Sequence, residues 1–434
     1  MKKVVGFFMA AVMLFGLAVP FNASEIDSKI SNSAENIVQI SDYIPTEPAS
    51  AAAIVNNDSF VDKTANQTNF DLPCKAALLM DQSTGQILYE KNIIQQMPIA
   101  SITKVMTMLL VMEAVDSGKI KMQDTVPISK HAFSMGGSQI WLEPGEIFTV
   151  HELMKAVAVA SANDAAVALA EFIGGSESVF CDMMNRRAEE LGMKDTHFVN
   201  ACGLDAEGHL STAADVAIMS RELMKHEKIF EYTTIWMDYL RDGKTQLVNT
   251  NKLLRSYTGT NGLKTGTTSG AGVCITAAAT RGDLSLIAVV LGSDTSEERF
   301  VAAKKLFDFG FSNFESRQFP SVEDYPQYIA VRKSVKKEVK IEYNLPSKLL
   351  FLKGAFPQIE SRITLPESLE APLEKGTVVG SVDLYSKGEK IKEYNITLAE
   401  DAEKLTFGKA FDLLMKIVAG NVEVNRQNVI KNEK

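Results

Sequence analysis

Three short motifs that lie far apart in the chain constrain the fold more than any other feature of the sequence. Ser101-Ile102-Thr103-Lys104 stands at the start of an apolar run, Ser161-Ala162-Asn163 opens onto an alanine-rich stretch, and Lys264-Thr265-Gly266 lies in a strand-like segment. Side chains of this kind cooperate in chemistry only where they line one cleft. The fold is therefore expected to bring two helices and a strand together around a common site.

The first motif has the chemistry of an activated nucleophile. A serine and a lysine spaced i, i+3 lie on one helical face, one turn apart. A serine hydroxyl needs a base near neutral pH, and a lysine can be that base if burial lowers its pKa. This predicts Ser101 as the nucleophile and Lys104 as the base. Alone the pattern is weak, because Ser334 and Lys337 repeat the spacing in a later, β-rich part of the chain.

Strand patterns lie at both ends of residues 72–315, and helical patterns lie between them. The predicted strands cover residues 76–80, 86–89, 262–267, 273–278 and 284–291, with Arg281-Gly282-Asp283 as a hairpin turn. The predicted helices cover residues 102–115, 153–172 and 179–191. This order indicates an α+β domain whose first and last strands share one antiparallel sheet.

Prolines punctuate short alternating runs after Phe311, and helical periodicity disappears. We predict a second, all-β domain over residues 316–400. In the segment 401–434 that follows, Phe407, Phe411, Leu414 and Val418 recur on one helical face. Residues 405–418 are therefore predicted to form an amphipathic helix.

The N-terminus has the layout of a secretory signal. Lys2 and Lys3 precede an uncharged, mostly apolar run over residues 4–21. We predict a signal peptide over residues 1–23, with an uncleaved membrane anchor as the alternative, and a flexible segment over 24–71. The protein is then exported. Its four cysteines, Cys74, Cys181, Cys202 and Cys274, could pair outside the cytoplasm, a question that the sequence leaves open.

Charge and ligand spacing exclude two classes of function. The chain has 45 Lys and Arg against 54 Asp and Glu, a net charge of −9, whereas a dedicated nucleic-acid binder carries the opposite balance. The five histidines show no metal-ligand spacing. We expect no nucleic-acid partner, no metal and no cofactor.

Together the three motifs resemble those of the low-molecular-mass penicillin-binding proteins that are serine-type D-alanyl-D-alanine carboxypeptidases. The likeness includes residues 196–200, Gly203-Leu204 and residues 249–254, and extends roughly from residue 74 to residue 400. It implies a penicillin-binding or β-lactamase-like transpeptidase domain, an antiparallel sheet with a helical lobe, followed by a small all-β domain.

The resemblance also implies roles for particular residues. Ser101 would attack the carbonyl of the penultimate D-alanine of a peptidoglycan stem peptide, Lys104 would take the hydroxyl proton, and Ser161 would relay a proton to the leaving amine. The N–H groups of Ser101 and Thr267 would form the oxyanion hole, and Lys264 would help to keep Lys104 neutral. β-Lactam antibiotics would be covalent inhibitors. The implied substrate-binding residues are Asn163, Lys264, Thr265, Gly266 and Thr267.

One position departs from some relatives. Ala214 stands where certain members carry an arginine that assists carboxylate binding. Arg281 is a candidate replacement, although a solvated turn residue is the expected interpretation.

Three functions besides the carboxypeptidase remain open. A class A β-lactamase needs a further glutamate, but Glu189 and Glu190 are expected on a solvated helix face. A D,D-endopeptidase would use the same groups on crosslinked peptides. A catalytically silent wall-binding protein would keep the fold without the reaction.

The amphipathic C-terminal helix has two interpretations. In relatives such a helix often lies on the outer face of the cytoplasmic membrane. It could equally pack against its own protein or a second copy, and the sequence leaves both interpretations open.

Overall fold

The computed structural model describes residues 71–320, 324–354 and 358–418. The predicted signal peptide, nearly all of the predicted N-terminal segment and residues 419–434 lie outside the described residues.

The first part of the chain is organised around a five-stranded antiparallel sheet. Its strands are β1 (Ala76–Asp81), β2 (Ile87–Lys91), β7 (Thr260–Thr268), β8 (Gly272–Arg281) and β9 (Leu284–Ser293), and they lie in the order β2-β1-β9-β8-β7. Two small ribbons pair β3 (Thr125–Pro127) with β4 (Ile147–Thr149) and β5 (Met237–Leu240) with β6 (Thr245–Val248). β1 pairs with β9, with Ala76 opposite Leu291. The prediction that the terminal strands share a sheet is confirmed.

Alternate residues of the central strands enter two different cores. Ala76, Leu78 and Met80 of β1 pack into a core on one face of the sheet, whereas Ala77 and Leu79 pack into a core on the other face. Successive side chains of a strand point to opposite faces, so a sheet covered on both sides needs apolar residues at nearly every position. This is why the strands read as continuous apolar runs in the sequence.

Helices cover both faces of this sheet. The helices of the domain are α1 (Lys104–Asp116), α2 (Lys130–Phe133), α3 (Val150–Lys155), α4 (Asn163–Gly174), α5 (Glu177–Glu190), α6 (Ala213–Leu223), α7 (Phe230–Thr233), α8 (Leu253–Ser256) and α9 (Ser296–Asn313). Residues of α1, α4 and α6 belong to the larger core, and residues of α9 pack on the opposite face. α1 and α5 were predicted; α6 and α9 were not.

The alanine-rich stretch predicted as helical over residues 153–172 is interrupted. After α3, a π-helical turn covers Ala156–Ala160, and Ser161 then adopts a left-handed conformation with φ of +61°. Non-glycine residues rarely adopt this conformation. The break lets α4 begin at Asn163 with its own direction, and it places the second motif at the junction.

The remaining strands form the β-rich part of the chain. They are β10 (Phe314–Gln318), β11 (Tyr328–Arg332), β12 (Glu338–Tyr343), β13 (Lys348–Leu352), β14 (Ile359–Thr364), β15 (Leu369–Glu370), β16 (Val378–Ser386) and β17 (Glu389–Leu398). A six-stranded sheet has the order β14-β16-β17-β12-β11-β15, and β10 pairs with β13. Leu350 of β13 packs with α9 residues in the smaller core of the first domain, so the two domains share a packed boundary.

The last described element is the amphipathic helix α10 (Phe407–Val418). Its Phe407, Phe411 and Leu414 side chains are exposed. Of the helices in the described part of the chain, none combines the length and the apolar character that crossing a bilayer requires. All four cysteines are free thiols in the structure.

Candidate active site

The nucleophile lies in a tight turn before α1. Ser101 is the second residue of a 3₁₀ turn, Ala100–Thr103, and the α-helix proper begins at Lys104. Ala100 has a left-handed φ of +48°. The sequence placed the SxxK motif at a helix start, and the structure refines this by giving the serine and the lysine different helical geometry. Lys104 Nζ lies 2.9 Å from Ser101 Oγ.

Lys104 is completely buried, and burial lowers its pKa to about 8. Its Nζ donates to Asn163 Oδ1 at 2.6 Å and to the Cys202 carbonyl at 2.5 Å. These two oxygens can only accept, so a neutral amine spends its two N–H groups on them. Its lone pair then faces the Ser101 hydroxyl, which is the arrangement a general base requires.

Ser161 and Asn163 follow the π-helical turn. The Asn163 side chain also donates to the Gly136 carbonyl at 2.7 Å, and its backbone N–H donates to the Ser138 carbonyl at 2.7 Å. Asn163 is thereby fixed between Lys104 and the loop over residues 136–142. The Ser161 side chain is buried nearby, but its hydroxyl makes no hydrogen bond with Ser101 or Lys104.

The third motif lies on β7, which is an edge strand of the sheet. A Cβ added to Gly266 would lie 2.9 Å from the Ile99 carbonyl oxygen and 3.0 Å from the Ser101 nitrogen. Only glycine lets the strand approach the nucleophile turn this closely. β7 therefore meets the nucleophile turn one residue before Thr267, the residue whose N–H is predicted to complete the oxyanion hole with that of Ser101.

Lys264 is buried beside the site and donates to the Thr265 carbonyl at 3.0 Å. Burial lowers its pKa well below the usual value, and repulsion from Lys104 and Arg299 lowers it further. For Lys104 the first cause of the lowered pKa is burial, whereas the resemblance had suggested repulsion by Lys264. The Thr265 hydroxyl lies 2.6 Å from that of Thr250.

A glycine loop supports the nucleophile turn from the opposite side. A Cβ on Gly203, which has φ of +85°, would lie 1.9 Å from the Ala100 carbonyl oxygen and 2.9 Å from Ser101 N. Asn200 Oδ1 accepts the N–H groups of Gly203 at 2.6 Å and of Cys202 and Leu204 at 3.2 Å. The Ser101 backbone is therefore packed between Gly203 and Gly266.

Asp205 links the Gly203 loop to the chain that follows Gly266. Its carboxylate accepts the Thr268 hydroxyl at 2.6 Å and the Gly270 N–H at 3.1 Å. These hydrogen bonds lower the pKa of Asp205, with that of Thr268 as the largest cause. Sequence reasoning missed this contact, because Asp205 and Thr268 are 63 residues apart in the chain.

The third buried basic side chain of the site is Arg299, which sequence reasoning also missed. From the first turn of α9, Arg299 Nη1 donates to the Gly266 carbonyl at 3.1 Å, to the Thr267 hydroxyl at 3.2 Å and to the Cys274 carbonyl at 3.2 Å. Burial lowers its pKa to about 10. Its Nε is buried without a hydrogen-bond partner.

Neither position considered from the sequence supplies this charge. Ala214 is buried in α6. Arg281 is exposed and lies 4.5 Å from the ring centres of Tyr257 and Phe311, on which its guanidinium stacks. Arg281 therefore belongs to a surface cluster, and the expectation that it has no part in the site is in keeping with this placement.

The sequence and the fold have counterparts among known proteins. A family model described as D-alanyl-D-alanine carboxypeptidase matches residues 62–295, and a model of the C-terminal domain of penicillin-binding protein 5 matches residues 314–404. The D-alanyl-D-alanine carboxypeptidase DacF of Bacillus subtilis is 45% identical over 337 residues, which cover 77% of this chain and 87% of the relative. DacC of Escherichia coli is 35% identical over 352 residues, covering 79% and 87%.

Solved structures agree with these relatives. Penicillin-binding protein 5 of Haemophilus influenzae is 32% identical with a TM-score of 0.66, covering 78% of this chain and 99% of its own. Penicillin-binding protein D2 of Listeria monocytogenes in its ampicillin-bound form is 36% identical with a TM-score of 0.52, covering 56% of this chain and 99% of its own.

Proposed function

Because this chain belongs to the D-alanyl-D-alanine carboxypeptidase family, we propose that it removes the terminal D-alanine from peptidoglycan pentapeptide stems through an acyl-enzyme on Ser101. The observation that carries the proposal is the contact between the Ser101 hydroxyl and a completely buried Lys104 whose pKa is about 8. The enzyme is a serine peptidase, and its family acts on peptidoglycan, outside the cytoplasm.

In the acylation step the neutral Lys104 amine takes the hydroxyl proton while Ser101 Oγ attacks the carbonyl of the penultimate D-alanine. The C–O bond forms, and the carbonyl oxygen becomes an oxyanion held by the N–H groups of Ser101 and Thr267. Such donors stabilise charge that is present only in the transition state and the intermediate. The close approach of Gly266 to Ser101 N supports this pairing.

Collapse of the intermediate breaks the C–N bond and needs a proton on the leaving nitrogen. Lys104, now charged, would be its source, and Ser161, which is buried two residues before the Asn163 that contacts Lys104, would relay it. The substrate nitrogen would lie between the two groups, which accounts for the lack of a direct contact in the free enzyme. Asn163 contacts Lys104 and would also hold the substrate backbone.

The substrate carboxylate would meet a positive region of the cleft. Lys264 and Arg299 are buried there, and the Thr265 and Thr267 hydroxyls lie on β7, the strand that also carries Lys264. A carboxylate would make charge-assisted hydrogen bonds with these groups. This explains how the enzyme would select peptides with a free C-terminus and β-lactams, which carry an equivalent carboxylate.

Water must then hydrolyse the acyl-enzyme, and the site offers little help with this step. Among the described residues, no carboxylate contacts Ser101, Lys104 or Ser161. Glu189 is exposed on α5, and Glu190 pairs with Arg187. We therefore expect a long-lived penicilloyl adduct, unlike the rapid turnover of a class A β-lactamase. A D,D-endopeptidase would use the same groups on crosslinked peptides.

The proposal is tested by intact mass after brief exposure to benzylpenicillin, together with an assay of free D-alanine released from a peptide ending in D-Ala-D-Ala. We expect one penicilloyl group and D-alanine release in the wild type and in Ser334→Ala, the matched control from the second SxxK sequence. Both should be lost in Ser101→Ala. Rapid drug turnover without an adduct would indicate a β-lactamase, and the absence of adduct and turnover would indicate a silent wall-binding protein.

We further propose the domain organisation predicted from the sequence: a catalytic domain over residues 72–315, a β-rich domain over 316–400 and a C-terminal segment over 401–434. The chain changes from mixed helices and strands to strands alone between α9 and α10, which supports this division. Export through the signal peptide over residues 1–23 is part of the same proposal, since the substrate lies outside the cytoplasm.

The C-terminal helix would hold the enzyme on the outer face of the cytoplasmic membrane. Phe407 of α10 is 88% exposed, and Phe411 and Leu414 are also exposed. Lys409 and Lys416 form ion pairs with Glu403 and Asp412. An apolar helix face of this kind can enter the interface of a bilayer.

Deletion of residues 404–434 tests this placement. We expect the truncated mature protein to move from the membrane fraction to the soluble fraction with its penicillin acylation intact. Continued sedimentation with membranes would contradict membrane binding through α10, and concentration-dependent dimerisation lost on truncation would assign the helix to a second copy.

A further inference from the structure

The indole of Trp141 is exposed to solvent, and the backbone of Trp141 has a conformation that bulky residues rarely adopt. It is 74% exposed, with a left-handed φ of +58°. Single exposed apolar residues are normal on protein surfaces. It is unusual, however, for a strained backbone to project an aromatic ring into solvent. Such strain persists only where the surrounding structure enforces it.

The surroundings of Trp141 enforce it from two sides. The Asp164 carboxylate accepts the N–H groups of the neighbours Ile140 and Leu142, each at 3.1 Å. Arg241 donates to the carbonyl oxygens of Ile140 at 2.8 Å and Trp141 at 2.9 Å. The backbone from which the indole projects is therefore held in place by the fold.

The loop of Trp141 is continuous with the cleft. Ser138, three residues before Trp141, accepts the N–H of Asn163, whose side chain contacts Lys104. Arg241, which holds Trp141, begins the turn of the β5–β6 ribbon. That ribbon leads to Thr250, whose hydroxyl contacts Thr265. The loop and the ribbon thus flank one end of the catalytic cleft.

The outer side of the ribbon is also apolar. Met237, Tyr239 and Val248 are exposed, whereas Leu240 and Leu247 are buried on the inner side. We refer to Trp141, Met237, Tyr239 and Val248 as the aromatic rim.

The chemistry of the aromatic rim favours a neutral partner with both apolar and hydroxyl groups. Two of the nearby basic residues are paired, Lys155 with Asp238 at 2.9 Å and Arg241 with Glu146 at 2.8 Å. The exposed Lys244 of the ribbon turn lies two residues from the exposed Asp242, so the turn has no net positive charge beyond that of Arg241 and its partner. The Gln246 amide lies 3.1 Å from the Tyr239 hydroxyl and supplies polar groups on the same side. Anionic lipid would instead call for unpaired Lys or Arg. Pyranose rings fit, because their C–H faces pack on aromatic rings while their hydroxyls meet amide and phenol groups.

We propose that the aromatic rim binds the glycan strand to which the stem peptide is attached. The inference rests on the proposed function, because a stem that occupies the cleft brings its amino sugars to the cleft's edge. The enzyme then acts preferentially on stems that carry their sugars.

The first test compares kcat/KM for a disaccharide-linked pentapeptide with kcat/KM for the free pentapeptide. One aromatic contact predicts a preference of about three- to tenfold for the sugar-linked substrate, and Trp141→Ala should reduce this ratio to near one. Tyr328→Ala, which removes a 56% exposed aromatic ring from the β-rich domain, should keep the wild-type ratio. The inference is overturned if Trp141→Ala keeps the wild-type ratio of the two kcat/KM values, or if that ratio is already one in the wild type. In either case, release of D-alanine from the free pentapeptide would leave the proposed function intact.

The second test needs no catalysis. The chain has two tryptophans, so Trp236→Phe leaves Trp141 as the only indole. We expect a saturable change in its emission on titration of the full mature protein with chitotriose, and no such change with a free pentapeptide. Emission that ignores chitotriose overturns the inference. Emission that responds only to protein concentration also overturns it, and assigns the rim to a second copy of the chain.

Discussion

The protonation state of Lys104 should control the pH dependence of acylation. Its pKa is lowered to about 8 because the ammonium is completely buried. Only the neutral amine can accept the Ser101 proton. The rate constant for acylation by benzylpenicillin should therefore rise with pH and level off above about pH 8.

The size of the effect follows from the pKa. At pH 7 a lysine with a pKa of about 8 is neutral in about one molecule in ten, against about one in 3,000 for an unperturbed lysine. Burial thus raises the population of active base by a factor of about 300, equivalent to about 3 kcal/mol. Below pH 8 the rate constant should fall about tenfold for each pH unit.

The assay is stopped-flow or quenched acylation at saturating benzylpenicillin, since saturation separates the chemical step from binding. Lys104→Ala should fold and fail to acylate, while Lys337→Ala, from the second SxxK sequence, should keep the wild-type profile. A rate constant that is flat between pH 6 and pH 8 would refute the assignment of Lys104 as the base. So would near-normal acylation by Lys104→Ala.

Three further predictions concern the surroundings of the nucleophile. Gly266→Ala would place a methyl group 3.0 Å from the Ser101 nitrogen, and the resulting shift should lower acylation about 100-fold; a wild-type acylation rate would contradict the close approach. Asp205→Ala should lower the rate of acylation about tenfold, because loss of the Thr268 contact loosens Thr267. Thr268→Ser should stay near wild type because it keeps the hydroxyl. Equal losses in the two variants would contradict a role for the contact between Asp205 and Thr268. Burial lowers the pKa of His209 to about 4, so the unfolded chain alone binds a proton between pH 6.5 and pH 4. As the pH is lowered from 6.5 to 4, the free energy of unfolding measured with urea should therefore fall by up to about 3 kcal/mol. The decrease should be smaller in His209→Gln.

Local signals were enough to predict the sheet and its first covering helix. β1, β8 and β9 are apolar at nearly every position because both faces of the sheet are covered. α1 is apolar all round because the helix itself is buried at nearly every position. α9 was missed because its buried face includes Arg299 and Gly310 while Val301 is exposed on the opposite face, so the apolar residues of the sequence do not follow the buried face.

The site shows the same division between local and distant signals. Ser101 and Lys104 could be identified because their spacing is local, and the other two motifs because each is a short run. Arg299 could not, since it reaches Gly266 from 33 residues away in the chain. For a further cation, sequence reasoning considered only Arg281, as a replacement for the arginine that some relatives carry where this chain has Ala214. Which basic residue reaches the cleft depends on tertiary packing.

The three buried cations of the site explain its substrate class and its catalytic power by one physical cause. Burial lowers the pKa values of Lys104, Lys264 and Arg299, and none of the three forms an ion pair with a carboxylate in the described part of the chain. Uncompensated cations in a dry site are unfavourable, so an anion that binds beside Lys264 and Arg299 relieves that cost. Lys104 lies instead against uncharged oxygens and stays poised to lose its proton. A substrate with a free carboxylate is thereby selected by the same desolvation that makes the lysine a base.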